Sequence, residues 1–173
     1  RTADGFELTV GTNHLGHFLL TELLYETLRK SAPARVVMVS SSYAERSSTD
    51  DLVATLRLDD LSFDQRPYNA WEAYCQSKLC NLLHAKEFPK RHPPDDGVIA
   101  CAVHPGFVRT QLMRHTMSGP AQYMMRAVMR RTHGLIEPWE GTQCHLKALL
   151  ADDVESGLFY AQTNSPRGRY IVP

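Results

Sequence analysis

The stretch Trp71-Glu72-Ala73-Tyr74-Cys75-Gln76-Ser77-Lys78-Leu79-Cys80-Asn81 lies near the middle of the chain and predicts the start of a helix. Tyr74 and Lys78 stand four residues apart in it, and therefore one turn apart on the same face. A phenol has an unperturbed pKa of roughly 10, which a neighbouring ammonium group lowers by favouring the phenolate. The spacing indicates a proton-transfer pair, and an ordinary surface contact between an exposed tyrosine and lysine is the alternative interpretation.

Two apolar runs on either side of this helix predict strands that are buried on both faces. The first is Val36 to Val39, followed by a serine run at 40–42, and the second is Val98 to Val103, followed by His104 to Thr110. Helices and strands alternate along this part of the chain, an order that implies right-handed crossovers and a parallel sheet. Both strands then end at the same edge of the sheet, where open α/β sheets build their sites.

The chain begins with a predicted helix from about Gly5 to Lys30. Asp4 is its expected N-cap, and Glu7, three residues later, completes a capping-box pattern. Asn13 falls on the apolar face of this helix, where an asparagine normally carries a cost. It is therefore either a buried, hydrogen-bonded amide or a functional group directed at a site.

Histidines and cysteines predict no metal centre. His14 and His17 have the i, i+3 spacing of a shared ligand pair, but no carboxylate or cysteine stands at matching spacing, so packing or hydrogen bonding is the favoured role. The cysteines form no C-x-x-C pair and are predicted to be reduced, intracellular thiols. They are Cys75, Cys80, Cys101 and Cys144.

Composition restricts the class of protein. A chain of 173 residues with 43% hydrophobic and 22% charged residues is typical of one soluble globular domain. Nineteen basic residues balance nineteen acidic ones, which gives no electrostatic case for nucleic-acid binding. No apolar run approaches the roughly 18 residues of a membrane span, and no signal peptide is visible.

Five stretches follow one another in the order of a known family pattern: Thr2-x-Asp4-Gly5-Phe6-Glu7, Thr12-Asn13-His14-Leu15-Gly16-His17-Phe18, Ser31-Ala32-Pro33-Ala34-Arg35-Val36-Val37, Ala73-Tyr74-Cys75-Gln76-Ser77-Lys78-Leu79 and Val103-His104-Pro105-Gly106. Together they resemble the short-chain dehydrogenase/reductases, and within them the retinol-dehydrogenase-like branch. The resemblance implies an α/β fold, a partial Rossmann-like doubly wound parallel sheet of about three strands. Residues 1–173 are then expected to be the C-terminal catalytic portion of a single domain.

The resemblance also implies catalytic roles. Tyr74 matches the proton donor and acceptor for the substrate oxygen, and Lys78 matches the residue that lowers the tyrosine pKa and holds the nicotinamide ribose. Ser41 matches the hydroxyl that orients the substrate, with the serines on either side of it as alternatives. Asn13 matches the helix asparagine that anchors a water in the proton relay.

The implied cofactor is NADP or NAD, with NADP favoured. The matching cofactor-binding set is Asn13, Tyr74, Lys78, Pro105, Gly106, Val108 and Thr110. The implied reaction is hydride transfer between this cofactor and an apolar alcohol or carbonyl compound, such as a retinoid or another lipophilic carbonyl compound. Because no G-x-G-x-x-G motif occurs in the chain, the adenine and pyrophosphate sites are expected upstream of it, and the chain alone is expected to be inactive. The alternative function is a truncated, non-catalytic product that acts at most as an interaction module.

Residues 112–131 interleave methionines with arginines. In this family the region forms a substrate lid, and an ordinary amphipathic helix or a basic segment resting on a membrane surface are the other interpretations. The helices at 5–30 and 71–88 are expected surfaces for a homo-oligomer. The expected location is intracellular, either cytoplasmic or associated with an intracellular membrane through an anchor outside this chain.

Overall fold

The computed structural model describes residues 1–44, 56–109, 135–165 and 168–172. Helices and strands alternate along this part of the chain, as the apolar runs predict. The helices are α1 (Leu8–Val10), α2 (Gly16–Lys30), α3 (Ala70–Arg91) and α4 (Pro138–Leu150). The strands are β1 (Ala34–Val39), β2 (Val98–His104), β3 (Phe159–Ser165) and β4 (Gly168–Val172).

The sheet has the order β1-β2-β3-β4, and its first three strands are parallel. Val39 lies opposite Val103 in the register, so the segments that follow β1 and β2 leave the sheet at the same edge. The predicted parallel α/β sheet is therefore confirmed. Strand β4 was not predicted; it adds an antiparallel hairpin partner to β3.

Helices cover both faces of the sheet because successive strand residues point to opposite sides. On one face, Phe88 of α3 packs in a buried cluster with Met38 and Ala102. On the other face, Cys144 of α4 packs in a second cluster with Val103. This arrangement is the predicted doubly wound architecture.

The amino-terminal helix differs from the prediction. Helix α1 begins at Leu8, and its N-cap is Glu7, whose carboxylate accepts from Thr9 N at 2.9 Å and Val10 N at 2.7 Å. Asp4 is not the cap. Because Glu7 alone satisfies two free amides at the helix start, the helix begins directly after it.

A single π-helical turn, Gly11–Leu15, separates α1 from α2. The predicted continuous helix from Gly5 to Lys30 is therefore interrupted. The described helices include none that is both long and apolar enough to cross a bilayer.

Helix α3 begins at the cap Asn69, whose side chain accepts from Trp71 N at 2.9 Å and Glu72 N at 3.1 Å. It continues through Pro89 to Arg91, beyond the end of the helix predicted at 71–88. A proline in the last turn removes only one helical hydrogen bond, and the turn still closes because His92 N donates to Phe88 O at 2.9 Å.

The open edge of β1 and the outer face of α2 remain uncovered within the described residues. β1 pairs only with β2 there, and leucines of α2 are exposed, Leu23 to 71%. The expected homo-oligomer contact through this helix stays a prediction.

Candidate active site

The proton-transfer pair lies beside the carboxyl end of β1. Tyr74 and Lys78 occupy successive turns near the start of α3, and the side chain of Ser41 lies within interaction distance of the Tyr74 hydroxyl. Ser41 is buried and also accepts from Tyr43 N at 3.3 Å. The fold therefore brings three of the four predicted catalytic side chains together.

The serines at positions 40–42 make different contacts. The Ser40 hydroxyl donates to the main-chain carbonyl of Lys78 at 2.7 Å, and Ser42 begins a short 3₁₀ turn. Ser41 is the member of the run whose side chain reaches Tyr74. The geometry therefore favours Ser41 over its two neighbours as the serine of the site.

Lys78 reaches the same region from one turn further along. Its Nζ donates to Val39 O at 3.1 Å and lies 5.7 Å from the centroid of the Tyr74 ring. Burial lowers the pKa of Lys78, because a charged ammonium loses hydration. One of its three N–H donors is thus used by the protein strand.

The pKa of Tyr74 moves in the opposite direction from the sequence expectation. Burial raises it, and the hydrogen bond with Ser41 opposes that rise in part. The Lys78 ammonium donates to Val39 O, and Lys78 is not among the groups that shift the pKa of Tyr74. The expected lowering of the tyrosine pKa by Lys78 is therefore wrong for this arrangement.

Asn13 lies in the π-helical turn, a distortion that is frequent at functional sites. Its Nδ2 donates to Ser77 Oγ at 3.0 Å, and Ser77 Oγ in turn donates to Tyr74 O at 2.7 Å. Its own carbonyl accepts from Asn81 Nδ2 at 3.0 Å. The side-chain nitrogen of Asn13 on this apolar face is therefore hydrogen-bonded to the helix that carries Tyr74.

The two histidines beside Asn13 are engaged in hydrogen bonds, as predicted. His14 Nδ1 lies 3.0 Å from Asn81 Oδ1, and His17 Nδ1 lies 3.1 Å from Asn13 O. No group of three or more metal-ligating side chains converges within the described ranges. All four cysteines are free and buried.

The turn after β2 supplies the remaining predicted cofactor residues. Gly106 has a φ of +84°, and a Cβ there would lie 3.0 Å from Ile136 Cδ1, which explains the glycine. Pro105 precedes it, and Val108 forms a parallel bridge with Ile136. Thr110 lies outside the described residues, as do residues 112–131.

Three rings, which we call the aromatic wall, stand around Tyr74: Tyr43, Trp71 and Phe107. The Trp71 and Tyr74 rings stack with centroids 5.7 Å apart, and Tyr43 meets Trp71 edge-to-face at 4.6 Å. Phe107 meets Tyr43 at 5.9 Å, which joins the turn after β2 to the segment after β1. These contacts place the Gly106 turn on the same side of the sheet as Ser41.

A cavity of about 260 Å³ lies on the α2 side of this constellation. Val36 to Val39 form one side of it, and its polar lining is Asn13, His17, Thr21, Lys78, Asn81 and His84. Its volume is below the roughly 300–1,000 Å³ of sites that enclose a drug-sized ligand. It offers space for one ring or sugar beside the Lys78 ammonium.

Sequence comparison bears on this geometry. The chain is 41% identical over 175 residues to retinol dehydrogenase 12 of Bos taurus, a match that covers 98% of the chain and 51% of the relative. It belongs to the short-chain dehydrogenase/reductase family. It spans about half the length of the curated relatives it matches, and no protein-family model matches it.

Solved structures agree with this short-chain dehydrogenase/reductase fold. 4-Hydroxyisoleucine dehydrogenase complexed with NADH matches with a TM-score of 0.63 and 15% identity, over 92% of this chain and 58% of that one. NADPH-bound carbonyl reductase from chicken fatty liver matches with a TM-score of 0.55 and 20% identity, over 93% and 57%. At these identities the likeness concerns the fold.

Sequence reasoning missed Asn81 and the carbonyl of Val39. Asn81 follows Lys78 by three residues, and Asn81 Nδ2 contacts both Asn13 O and Val39 O, at 3.0 Å and 3.1 Å. The available signal was a second asparagine on the Tyr74–Lys78 helix, at a spacing that puts it on nearly the same face.

Proposed function

We propose that the protein is an oxidoreductase that transfers a hydride between NAD(P)(H) and an apolar alcohol or carbonyl compound. The observation that carries this proposal is the proximity of the Ser41 side chain to the Tyr74 hydroxyl, with Lys78 one turn away. The name of the bovine relative, a retinol dehydrogenase, supports an alcohol or aldehyde of low polarity as substrate.

The proposed chemistry assigns proton transfer to Tyr74. Its hydroxyl gives a proton to the oxygen of a carbonyl substrate, or its phenolate takes one from an alcohol. Ser41, whose side chain already contacts that hydroxyl, hydrogen-bonds the same substrate oxygen and orients it. Burial raises the pKa of Tyr74, so its hydroxyl stays protonated near neutral pH, which is the form that donates a proton to a carbonyl oxygen.

The donors of this chain suit the nicotinamide ribose. Lys78 uses one N–H on Val39 O, and its remaining two can donate to ribose hydroxyl oxygens. The Gly106 turn, held against Ile136, would help to hold the nicotinamide. When bound, the nicotinamide supplies or accepts the hydride. We propose NADP as the favoured cofactor over NAD.

The aromatic wall supports an apolar substrate. Its rings border Tyr74 where the substrate oxygen would sit, and Trp71 is 38% exposed, which leaves its face accessible. Aromatic faces bind flat, apolar chains through area burial and stacking. Contacts from residues 112–131, to substrate or to a membrane surface, and an intracellular location stay predictions.

We do not favour the alternative of a non-catalytic interaction module. Such a module has no need for a buried tyrosine hydroxyl with a serine partner. Groups that are buried together at a cost in hydration are typical of catalytic sites.

The proposal is tested with the purified full-length protein. NADPH and NADH oxidation is followed by nicotinamide absorbance with straight-chain aldehydes of increasing length, and the reverse reaction with the matching alcohols. We expect kcat/KM to rise with chain length. Absence of turnover with either cofactor across the series would overturn the proposal.

A further inference from the structure

Asn81 is a buried asparagine that the proposed chemistry does not use, only 5% exposed in the second turn after Tyr74. Its side chain makes three hydrogen bonds to three separate segments. Nδ2 donates to Asn13 O at 3.0 Å and to Val39 O at 3.1 Å, and Oδ1 lies 3.0 Å from His14 Nδ1. Both N–H groups of the amide are therefore engaged.

The chemistry of these partners fixes the orientation of the amide. The two groups that face one end are main-chain carbonyls, which only accept hydrogen bonds, so that end must be the nitrogen. The oxygen then faces His14, which has to donate from Nδ1. In the neutral ring, Nε2 of His14 consequently carries no proton.

Val39 O is the point where this network meets the proton-transfer pair. It accepts from Asn81 Nδ2 and from Lys78 Nζ, both at 3.1 Å, so its two lone pairs are both used. Lys78 and Asn81 leave the same face of α3 and converge on this one oxygen. Any movement of Val39 O relative to α3 therefore moves the Lys78 ammonium.

We propose that Asn81 is a positioning residue for catalysis, which ties Asn13 of the π-helical turn to Val39 at the end of β1 and thereby fixes the Lys78 ammonium beside Tyr74. His14 holds the Asn81 amide in the required orientation. The inference rests on the proposed oxidoreductase function, since its catalytic effect is exerted through Lys78.

Other charged and titratable groups around the network have different partners. His17 contacts Asn13 O, and His84 faces His14 with ring centroids 6.0 Å apart. The hydrogen bonds described for the Asn81 side chain go instead to Asn13, Val39 and His14. The positioning role therefore falls to Asn81 and not to the histidine cluster as a whole.

The experiment uses four variants of the full-length protein. Asn81→Ala removes the network, and Cys80→Ala is the matched control at the neighbouring buried position. His14→Leu removes the donor to Asn81, whereas His14→Asn places an amide donor near the position of Nδ1. Steady-state kinetics with the best aldehyde give kcat and KM, and thermal unfolding confirms that each variant is folded.

We expect Asn81→Ala to lower kcat by on the order of tenfold to a hundredfold, because a displaced catalytic group costs about that much. The KM for the aldehyde should stay within about twofold, since Asn81 does not contact the substrate. His14→Leu should lower kcat in the same sense, and His14→Asn should recover most of it. Cys80→Ala should behave like wild type.

A wild-type kcat for Asn81→Ala in an active enzyme would overturn this inference and leave the proposed function intact. A wild-type protein without activity would overturn the proposed function itself. The tautomer of the His14 ring can be measured on the wild-type protein, without any variant and without an activity assay. Long-range proton–nitrogen correlation spectra of the wild-type protein should show His14 protonated at Nδ1, and protonation at Nε2 alone would overturn the network.

Discussion

The hydroxyl of Ser40 donates to the main-chain carbonyl of Lys78 at 2.7 Å. Ser40 also donates its amide to Val103 O at 2.8 Å, so it joins the last residues of β1 and β2 to helix α3. The helix that carries the proton-transfer pair is thus fastened to the sheet by a residue adjacent to Ser41. Two neighbouring serines consequently serve different purposes.

Replacing each serine by alanine should separate those purposes. Ser41→Ala should lower kcat strongly with little change in the free energy of unfolding. Ser40→Ala removes the hydroxyl that ties the helix to the sheet, while Lys78 O keeps its helical donor, and should lower the free energy of unfolding by about 0.5–1.5 kcal/mol. Chemical denaturation and aldehyde reduction, measured on both variants, check the pair. Equal effects of the two changes on kcat would contradict the assignment of Ser41.

Tyr74→Phe should abolish turnover of the full-length protein while cofactor affinity stays nearly unchanged, because only the hydroxyl group is removed and the ring stays. Tyr43→Phe is the matched control, since it removes the hydroxyl group of a neighbouring tyrosine in the aromatic wall and keeps the ring. Kinetics and a cofactor titration provide the measurement. Turnover of Tyr74→Phe within about tenfold of the parent would refute the role of Tyr74 as acid and base.

The aromatic wall should discriminate between substrates by length. Trp71→Ala removes an accessible ring, so it should raise KM for long apolar aldehydes much more than for short ones. A lost apolar contact affects only the ligand that made it. The measurement is the KM ratio between the two ends of the aldehyde series. An equal rise for short and long aldehydes would assign Trp71 to packing alone.

His84 should make the protein less stable in acid. Burial lowers its pKa from 6.5 to about 4. Between these values the unfolded chain binds a proton that the folded chain does not, so the free energy of unfolding falls as the pH falls from 6.5 towards 4. His84→Phe keeps a ring beside Phe18 and should reduce this slope by about 1.4 kcal/mol per pH unit. Urea titrations at several pH values test it, and an unchanged slope would contradict it.

A polypeptide restricted to residues 1–173 should bind NADPH or NADH weakly. Lys78 and the Gly106 turn offer a few hydrogen bonds of roughly 0.5–1.5 kcal/mol each, and ordering the ligand consumes most of that. We expect a Kd no tighter than millimolar, about −4 kcal/mol. Calorimetric titration gives the Kd. Micromolar binding would contradict the expectation and show that residues 1–173 bind the cofactor through further contacts.

Local sequence patterns predicted most of the fold. The Tyr74–Lys78 spacing and the apolar run before Ser41 depend on neighbours in sequence, so both were readable. The antiparallel β4 was not, because its pairing is set by a hairpin after β3. The helical period also could not reveal the π-helical turn, since one additional residue hardly disturbs an apolar pattern spread over more than twenty.

The electrostatics of the site depend on distant segments. The pKa of Tyr74 is raised by burial and, to a smaller extent, by Tyr43 from another segment, so the direction of its shift was beyond spacing arguments. Asn81 reaches partners 42 and 68 residues away. Only Asn13, a polar residue on an apolar face, gave an early sign of this network.

The π-helical turn Gly11–Leu15 makes chain length a constraint in its own right. One additional residue in a turn rotates the helix before it by about 100° relative to the helix after it. Loss of a single residue here would join α1 and α2 in one regular phase, so the buried Val10 and the Ser77 contact of Asn13 could not both be kept. Substitutions in this segment should therefore be tolerated better than insertions or deletions of residues.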